Sequence, residues 1–390
     1  MQRISQLLSV GYLLLAALIT LITVLNGPLG AAPFPIGPSR APVVVTLDYS
    51  SEKQAWLEAA VARFAATNQR VRGRPIQIQL TSVGSGEIVS QIIESKRQPT
   101  AISPASSIQT DLLRDEWQAR RGTNILADAP QSLALTPLVL VSWQDRGQAL
   151  WPQGASANLW SQLHDAVADP QGWATLRQPS WGYVKLGHAS PIASNSGMQT
   201  LLLLAYAYRN KSSGLTVEDV RDPAFQDWLR GIEGAVAQFE DSTGKLIQDM
   251  VLYGPSKYDV TAVYENLALS NIESVKNRNY PNLRIYYPPA TLLSDHPYAI
   301  LNAPWVDDDQ RAAAALFRDF LLSQPTQELA RQYGLRPINA QVSLEANDPN
   351  NPFTRYVDNG VQLDIRQQAE LPSAEVRTAL IEVWRSVASQ

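Results

Sequence analysis

The chain has no cysteine among its 390 residues. That excludes disulfides, a thiol nucleophile, thiolate metal sites and a lipid anchor on cysteine. Histidine is nearly as scarce: His164, His188 and His296 lie far apart and show no metal-ligand spacing. Each therefore reads as a surface or core residue. Charged residues make up 17% and the formal net charge is -4. No basic excess suits nucleic acid or an anionic membrane surface. No Gly-x-Ser-x-Gly elbow and no Walker loop occur. Ser50-x-x-Lys53 matches the first element of penicillin-binding hydrolases, but the Ser-Asp-Asn and Lys-Thr-Gly elements required beside it are missing. Asp307-Asp308-Asp309 reads as a helix start, where acids suit the N-terminal dipole, rather than as a cation site. Asp348-Pro349-Asn350 lacks the glycine and distal glutamate of a calcium loop. No catalysis, metal or cofactor is expected.

What is present is a globular composition, with 45% hydrophobic residues and enough length for two ordinary domains. At the N-terminus Arg3 precedes an apolar run from Leu7 to Leu25, broken only by Ser9, Gly11, Thr20 and Thr23. Gly30-Ala31-Ala32 would suit a signal peptidase. A cleaved signal usually has an apolar core of about 7–15 residues, whereas a bilayer span needs roughly 20. Residues 1–26 are thus a signal peptide or a membrane anchor, and with Arg3 inside the remainder is exported in either case. Pro28, Pro33, Pro35, Pro38 and Pro42 make 27–42 an extended linker.

The folded region begins at Val43. Val43–Leu47 is a continuous apolar run, as in a strand buried on both faces of a parallel sheet. The spacing predicts a helix over 52–67, with Trp56, Leu57, Ala60, Val61 and Phe64 on one face. Ile76–Thr81 alternates as a strand and runs into Gly84-Ser85-Gly86, the start of another helix. Glycine there lets the backbone approach a ligand closely. Ser85 can cap the helix and offer a hydroxyl beside free N–H groups. Strand, serine-bearing turn and helix thus follow in succession at Ser51 and at Ser85. Pro104-Ala105-Ser106-Ser107 is a third such turn. Ser194-Asn195-Ser196-Gly197 is a fourth, opening a nearly all-apolar helix over 198–209. Ligands of open α/β sheets bind at the carboxyl ends of strands. Further helices are expected over 151–178 and 223–240, and a strand over 258–263. Leu133–Val141 reads as a strand interrupted at Thr136-Pro137, where proline argues for an edge or a crossing between domains. Tyr287-Pro288-Pro289 marks a second crossing. Trp56, Trp117 and Trp181 are stacking candidates for a sugar or peptide, but core packing is the better account of each, above all of Trp56 on its apolar helix face.

The segment Gln310–Asn339, with Phe317, Phe320-Leu-Leu-Ser323, Gln327, Ala330, Tyr333-Gly334 and Arg336-Pro337, resembles the closing segment of bacterial extracellular solute-binding proteins. The serine-bearing turns, with Leu135-Thr136-Pro137, resemble the version fused to von Willebrand factor A domains. The resemblance covers essentially all of 43–390. It implies the α/β, two-lobed type II periplasmic-binding-protein fold with two interlobe crossing segments. The first lobe would comprise 43–136 and 289–390, and the second 137–288. Relatives that bind sulfate, molybdate or phosphate hold the ligand between lobes with serines and N–H groups. Carried over, the ligand-binding residues are Ser51, Ser85, Ser106 and Ser107 from the first lobe and Ser194, Ser196 and Gly197 from the second, with Tyr264 a further candidate. No arginine stands beside Ser194, which speaks against phosphate. The expected function is capture of a small polar ligand, such as an oxyanion, for an ABC-type transporter. The expected protein is an extracytoplasmic monomer, secreted or anchored, partnered by an ABC permease. The alternative is a membrane-anchored envelope sensor or interaction protein that uses the same fold without transport.

Overall fold

The computed structural model describes residues 41–155, 157–276 and 278–388. The expectations for residues 1–26 and for nearly all of the linker lie outside them. Among the described residues no helix is long and apolar enough to cross a membrane.

The first strand, β1 (Val43–Tyr49), is apolar throughout except for Thr46 and Asp48, and it leads through a turn into helix α1 (Gln54–Ala66). A short β2 (Arg70–Val71), β3 (Arg74–Ser82), α2 (Ser85–Ile93), β4 (Ala101–Ser103), α3 (Ser107–Arg121) and β5 (Gln131–Ser132) follow. Then come the long β6 (Ala134–Trp143), α4 (Gln144–Leu150), α5 (Leu159–Ala168), β7 (Leu186–Gly187) and α6 (Asn195–Arg209). Helices α7 (Val217–Arg221), α8 (Pro223–Glu233) and α9 (Thr243–Tyr253) precede β8 (Val260–Tyr264) and α10 (Glu265–Lys276). The chain continues through β9 (Leu283–Tyr286), β10 (Leu293–Ser294), β11 (Pro297–Ile300), α11 (Asp308–Leu322) and α12 (Gln324–Gln332). It closes with β12 (Arg336–Pro337), α13 (Pro352–Arg355) and α14 (Ala374–Ala388).

These elements build two sheets. The first has the order β2-β3-β1-β4-β11-β5. Its centre is parallel, with Val43 opposite Ile76 and Leu47 opposite Ala101, while β11 runs antiparallel to β4 and β5. The second has the order β10-β6-β8-β7, and β9 and β12 also pair with β6. Trp56, Leu57, Ala60 and Phe64 of α1 are buried against the first sheet, where the Phe64 ring meets Phe317 at 5.1 Å and Phe320 at 5.3 Å. The α6 helix is buried along most of its length, because Leu201–Leu204 and Tyr206 all face protein.

Several expectations need correction. Thr136-Pro137 does not interrupt its strand: β6 runs through it, with Pro137 opposite Leu293. Proline is tolerated because the pairing on that side is only two residues long. Helix 151–178 contracts to α5 followed by two short 3₁₀ turns, since Pro170, Gly172 and Pro179 stop continuation. Helix 223–240 ends at Glu233, where Gly234 follows. Residues 289–390 do not all return to the first sheet. Phe353, Tyr356 and Val361 join the core under β6 and β9, and α14 packs on α6, α7 and α8. There Trp384 Nε1 donates to Glu233 Oε2 at 3.0 Å and its ring meets Phe239 at 5.1 Å. An amphipathic pattern says which face of a helix is buried, not which sheet receives it.

Candidate functional site

Each serine-bearing turn lies where a strand or an extended segment gives way to a helix, and each serine is engaged by the protein itself. Ser51 follows β1, and its Oγ accepts a hydrogen bond from the Gly244 N–H of α9 at 3.2 Å. Ser85 opens α2, and its buried Oγ accepts from the Ala105 N–H at 3.0 Å. Ser106 caps α3, accepting from the Ile108 N–H at 3.3 Å. The Ser107 N–H donates to Asp295 Oδ1 at 2.8 Å. Before α6, Ser194 Oγ lies 3.1 Å from Ser196 Oγ, which in turn lies 2.6 Å from Thr243 Oγ1. Tyr264, at the end of β8, accepts from Asn195 Nδ2 at 2.9 Å. Burial, reinforced by the Glu52 charge, drives its phenol pKa far above the ordinary value.

The glycines at these turns serve backbone approach, but the partner is the other half of the fold. The Gly86 N–H donates to the Ala193 carbonyl at 3.1 Å. A Cβ on Gly84 would sit 2.7 Å from Ala193 O, and one on Gly86 would sit 2.2 Å from Ile192 O. Gly197 is equally confined, its Cβ position lying 2.2 Å from Ala189 O. Ser85 is thus joined to the Ser106 turn through Ala105, and Ser194 to Ser196 through Thr243. The two groups meet backbone to backbone at Gly86 and Ala193 rather than through the Ser85 and Ser196 hydroxyls.

Cavities flank this meeting. One of about 360 Å³ is lined by Gly86, Ile108, Gln109, Ile192, Ser194 and Met198 among others. Another of about 480 Å³ is lined by Ser51, Glu52, Ser82, Ser242, Gly244 and Asn271 among others.

The sequence reading missed the centre of the site. The segment Ser294-Asp295-His296 joins β10 of the second sheet to β11 of the first and touches all four turns' surroundings. Ser294 Oγ accepts from Asn195 Nδ2 at 3.1 Å and Gln199 Nε2 at 3.0 Å, both on α6. Asp295 accepts from Ser107 N and, at 3.2 Å, from Ser132 Oγ. The His296 N–H donates to the Ala105 carbonyl at 3.0 Å. His296 has φ 46°, the left-handed region that a residue with a Cβ seldom enters without tertiary support.

The His296 ring meets a buried ion pair. Lys53 Nζ, wholly buried, donates to Ser50 Oγ at 2.5 Å, Glu52 Oε1 at 2.9 Å and Pro104 O at 3.3 Å, and lies 3.2 Å from His296 Nδ1. His296 Nδ1 also lies 3.2 Å from Glu52 Oε1, and the Ser50 hydroxyl donates to the same carboxylate. Burial would raise the Glu52 pKa, but Lys53, His296 and Ser50 together hold it well below the usual carboxylate range. Burial lowers the Lys53 and His296 pKa values, and the Lys53 ammonium lowers His296 further. Both effects favour the neutral imidazole of His296. The Glu52 carbonyl accepts from Asn266 Nδ2 of α10 at 2.7 Å, tying the pair to the second half of the fold. Ser50-x-x-Lys53 is thus a buried structural pair with Glu52 between. Adjacent unlike charges were the one available signal, and they read equally well as a solvated turn.

Residues 45–336 match the family of bacterial extracellular solute-binding proteins. The chain belongs to this family. No relative is found among curated proteins. Solved structures share the fold over nearly the whole chain. The sulfate-binding protein SubI from Mycobacterium tuberculosis H37Rv is 17% identical with a TM-score of 0.52, covering 90% of this chain and 99% of that one. A periplasmic thiamin binding protein is 12% identical with a TM-score of 0.62, covering 92% and 100%. The periplasmic binding protein AfuA from Actinobacillus pleuropneumoniae, with exogenous fructose-6-phosphate bound, is 14% identical with a TM-score of 0.58, covering 90% and 99%. The solute-binding fold is two-lobed and α/β, and the described residues of this chain build two sheets. The family places this solute-binding protein outside the cytoplasm, and the family and its neighbours are binding proteins.

Proposed function

We propose that this solute-binding protein captures a small polar ligand between its two lobes and passes it to an ABC-type permease, acting as a monomer. One lobe would comprise 43–136 and 289 to about 335, and the other 137–288 with the C-terminal residues. The observation that supports this reading is convergence: turns from both sheets meet at the crossing segment 294–296, with direct bonds Gly86 to Ala193, Gly244 to Ser51 and Asn266 to Glu52. Buried polar groups drawn from elements of both sheets form a place where ligand and closure can stabilise one another.

Native mass spectrometry of the protein as purified, followed by titration with any molecule released, tests capture. Saturable binding that lowers the radius of gyration in solution scattering is the expected result. Binding with no change in scattering would refute closure. For the first 42 residues, fusion to a reporter active only outside the cytoplasm should give signal, and the N-terminus of the mature protein would separate cleavage from anchoring.

A further inference from the structure

We infer that the captured ligand is a small organic anion, a carboxylate or sulfonate on an apolar body, seated between α3 and α14 with Arg377 as its counter-charge. This rests on capture between the lobes.

The two helices line the cavity of about 360 Å³ from opposite parts of the chain. Helix α3 presents Ile108, Leu112 and Glu116 to it, and α14 presents Arg377, Ile381 and Arg385. Both sets recur at every fourth residue, so each is one continuous helix face. Ile192 and Met198, on either side of Ser194, add apolar wall. Leu112 and Ile192 are 43% and 46% exposed, so an occupant with an apolar body removes surface now left in water. The volume lies in the range of roughly 300–1,000 Å³ that small-molecule sites occupy.

Arg377 selects the polar end of the occupant. Its guanidinium is half-buried, and Nη1 donates to the Pro372 carbonyl at 2.7 Å. A guanidinium has five N–H donors, so that bond orients the group and leaves most of its fork open. Among the described residues no carboxylate forms an ion pair with it. Asp111, the acid whose field reaches Arg377, is bound to Arg114 at 2.8 Å. The two carboxylates that line the cavity are engaged by arginines outside it, Glu116 by Arg120 at 3.5 Å and Glu382 by Arg221 at 3.1 Å. Burial lowers the Arg377 pKa, and Asp111 offsets this only in part.

A ligand carboxylate or sulfonate meets such a fork with two parallel bonds. The Gln109 side chain lines the same cavity, is only 7% exposed, and its amide makes no hydrogen bond among the described residues. It can turn its N–H edge to the same anion. A bare inorganic oxyanion would leave the apolar walls in water, and an amine would meet the guanidinium with like charge.

Isothermal titration of the full chain with hexanoate, benzoate, hexylamine and sulfate tests the inference. The two carboxylates should bind saturably, and hexylamine and sulfate should not. Butyrate should bind about 5- to 15-fold more weakly than hexanoate, the loss of two buried methylenes. Gln109→Met should weaken hexanoate about 2- to 10-fold, as for one hydrogen bond. Arg377→Glu should reverse the preference, so that hexylamine binds and hexanoate does not. A merely structural arginine would give no reversal. Should Arg377→Glu fail to fold by circular dichroism, Arg377→Gln should weaken hexanoate about 10- to 100-fold, the range for a hydrogen bond to a charged group, and Arg377→Lys less. Hexanoate affinity unchanged in Arg377→Gln would overturn the inference, as would equal affinity for butyrate and hexanoate. Sulfate or hexylamine binding with both carboxylates inert would overturn it and leave capture standing. A dimer in sedimentation that Leu112→Ser breaks would put a second copy in the cavity and overturn it too. So would no binding by any of the four, and native mass spectrometry without a retained small molecule would then remove capture as well.

Discussion

Replacing Lys53 by methionine should cost this protein a large part of its stability, and the cost should depend on pH in a diagnostic way. The ammonium is fully buried and lies 2.9 Å from the Glu52 carboxylate, whose other ring partner, His296, is held toward its neutral form by burial and by Lys53. Deleting it removes donors at 2.5, 2.9 and 3.3 Å and leaves a buried carboxylate uncompensated. Removing one partner of a buried pair costs about 3–5 kcal/mol, against total stabilities of about 5–15 kcal/mol. Adding Glu52→Gln to Lys53→Met should recover part of that loss, with a coupling energy in the range of about 0.5–3 kcal/mol. The pH dependence follows from His296. In the wild type its pKa is lowered by burial and by Lys53. The unfolded imidazole therefore takes up a proton first, near its ordinary value of about 6.5. Its contribution is present above that pH and is lost as pH falls. Without Lys53, burial alone opposes the Glu52 charge, so the His296 pKa should be less depressed. The wild-type loss below about pH 6.5 should then be smaller or absent in the variant, so its deficit should shrink as pH falls through that range. Urea midpoints measured from pH 5 to 8 for both proteins read this directly. A deficit under about 1 kcal/mol, or equal pH slopes for the two proteins, would refute the buried triad.

Gly86→Ala should hold the lobes apart, because the new Cβ would lie 2.2 Å from the Ile192 carbonyl; a larger radius of gyration with a nearly unchanged urea midpoint is expected, and unchanged scattering would count against the contact. Arg336→Met should strand Glu265, which Arg336 holds through two bonds of 2.7 Å and Tyr287 also contacts; a loss of about 3–5 kcal/mol in urea unfolding is expected. Burial would lower the His188 pKa, but the Glu233 carboxylate 3.1 Å away outweighs it and raises the value. That pair's stabilisation should be complete below about pH 6.5 and fade as pH rises through the folded value, and His188→Gln should flatten this slope in thermal melts.

The serine-bearing turns were legible because their signal is local. A strand, a small or hydroxyl residue and an amphipathic run lie within about a dozen residues of one another, and each is visible without knowing the fold. What bonds to those serines was not legible. Ser107 meets Asp295 and Ser51 meets Gly244, contacts separated by 188 and 193 residues. His296 looked like a bland isolated histidine because nothing adjacent reveals that Lys53 and Glu52 will be carried to it. Gly84 and Gly86 signalled close approach, and close approach is what they provide, but to Ala193 and Ile192. The resemblance in 310–339 carried the lobed fold. It did not say what receives the last helix, where α14 settles on α7 and α8 and Trp384 reaches Glu233.

The adjacency of Glu52 and Lys53 has a consequence for how this site can change over evolutionary time. Each residue alone is a liability in the interior, and each is tolerated only because its chain neighbour carries the opposite sign. Two consecutive codons thus behave as one heritable unit. A lineage that loses either charge first passes through a poorly folded intermediate, so descendants should keep both or replace both. Natural relatives of this chain should therefore show paired substitution at positions 52 and 53, and a homologue with a lone charge there should carry a new counter-charge at the position of Ser50 or His296.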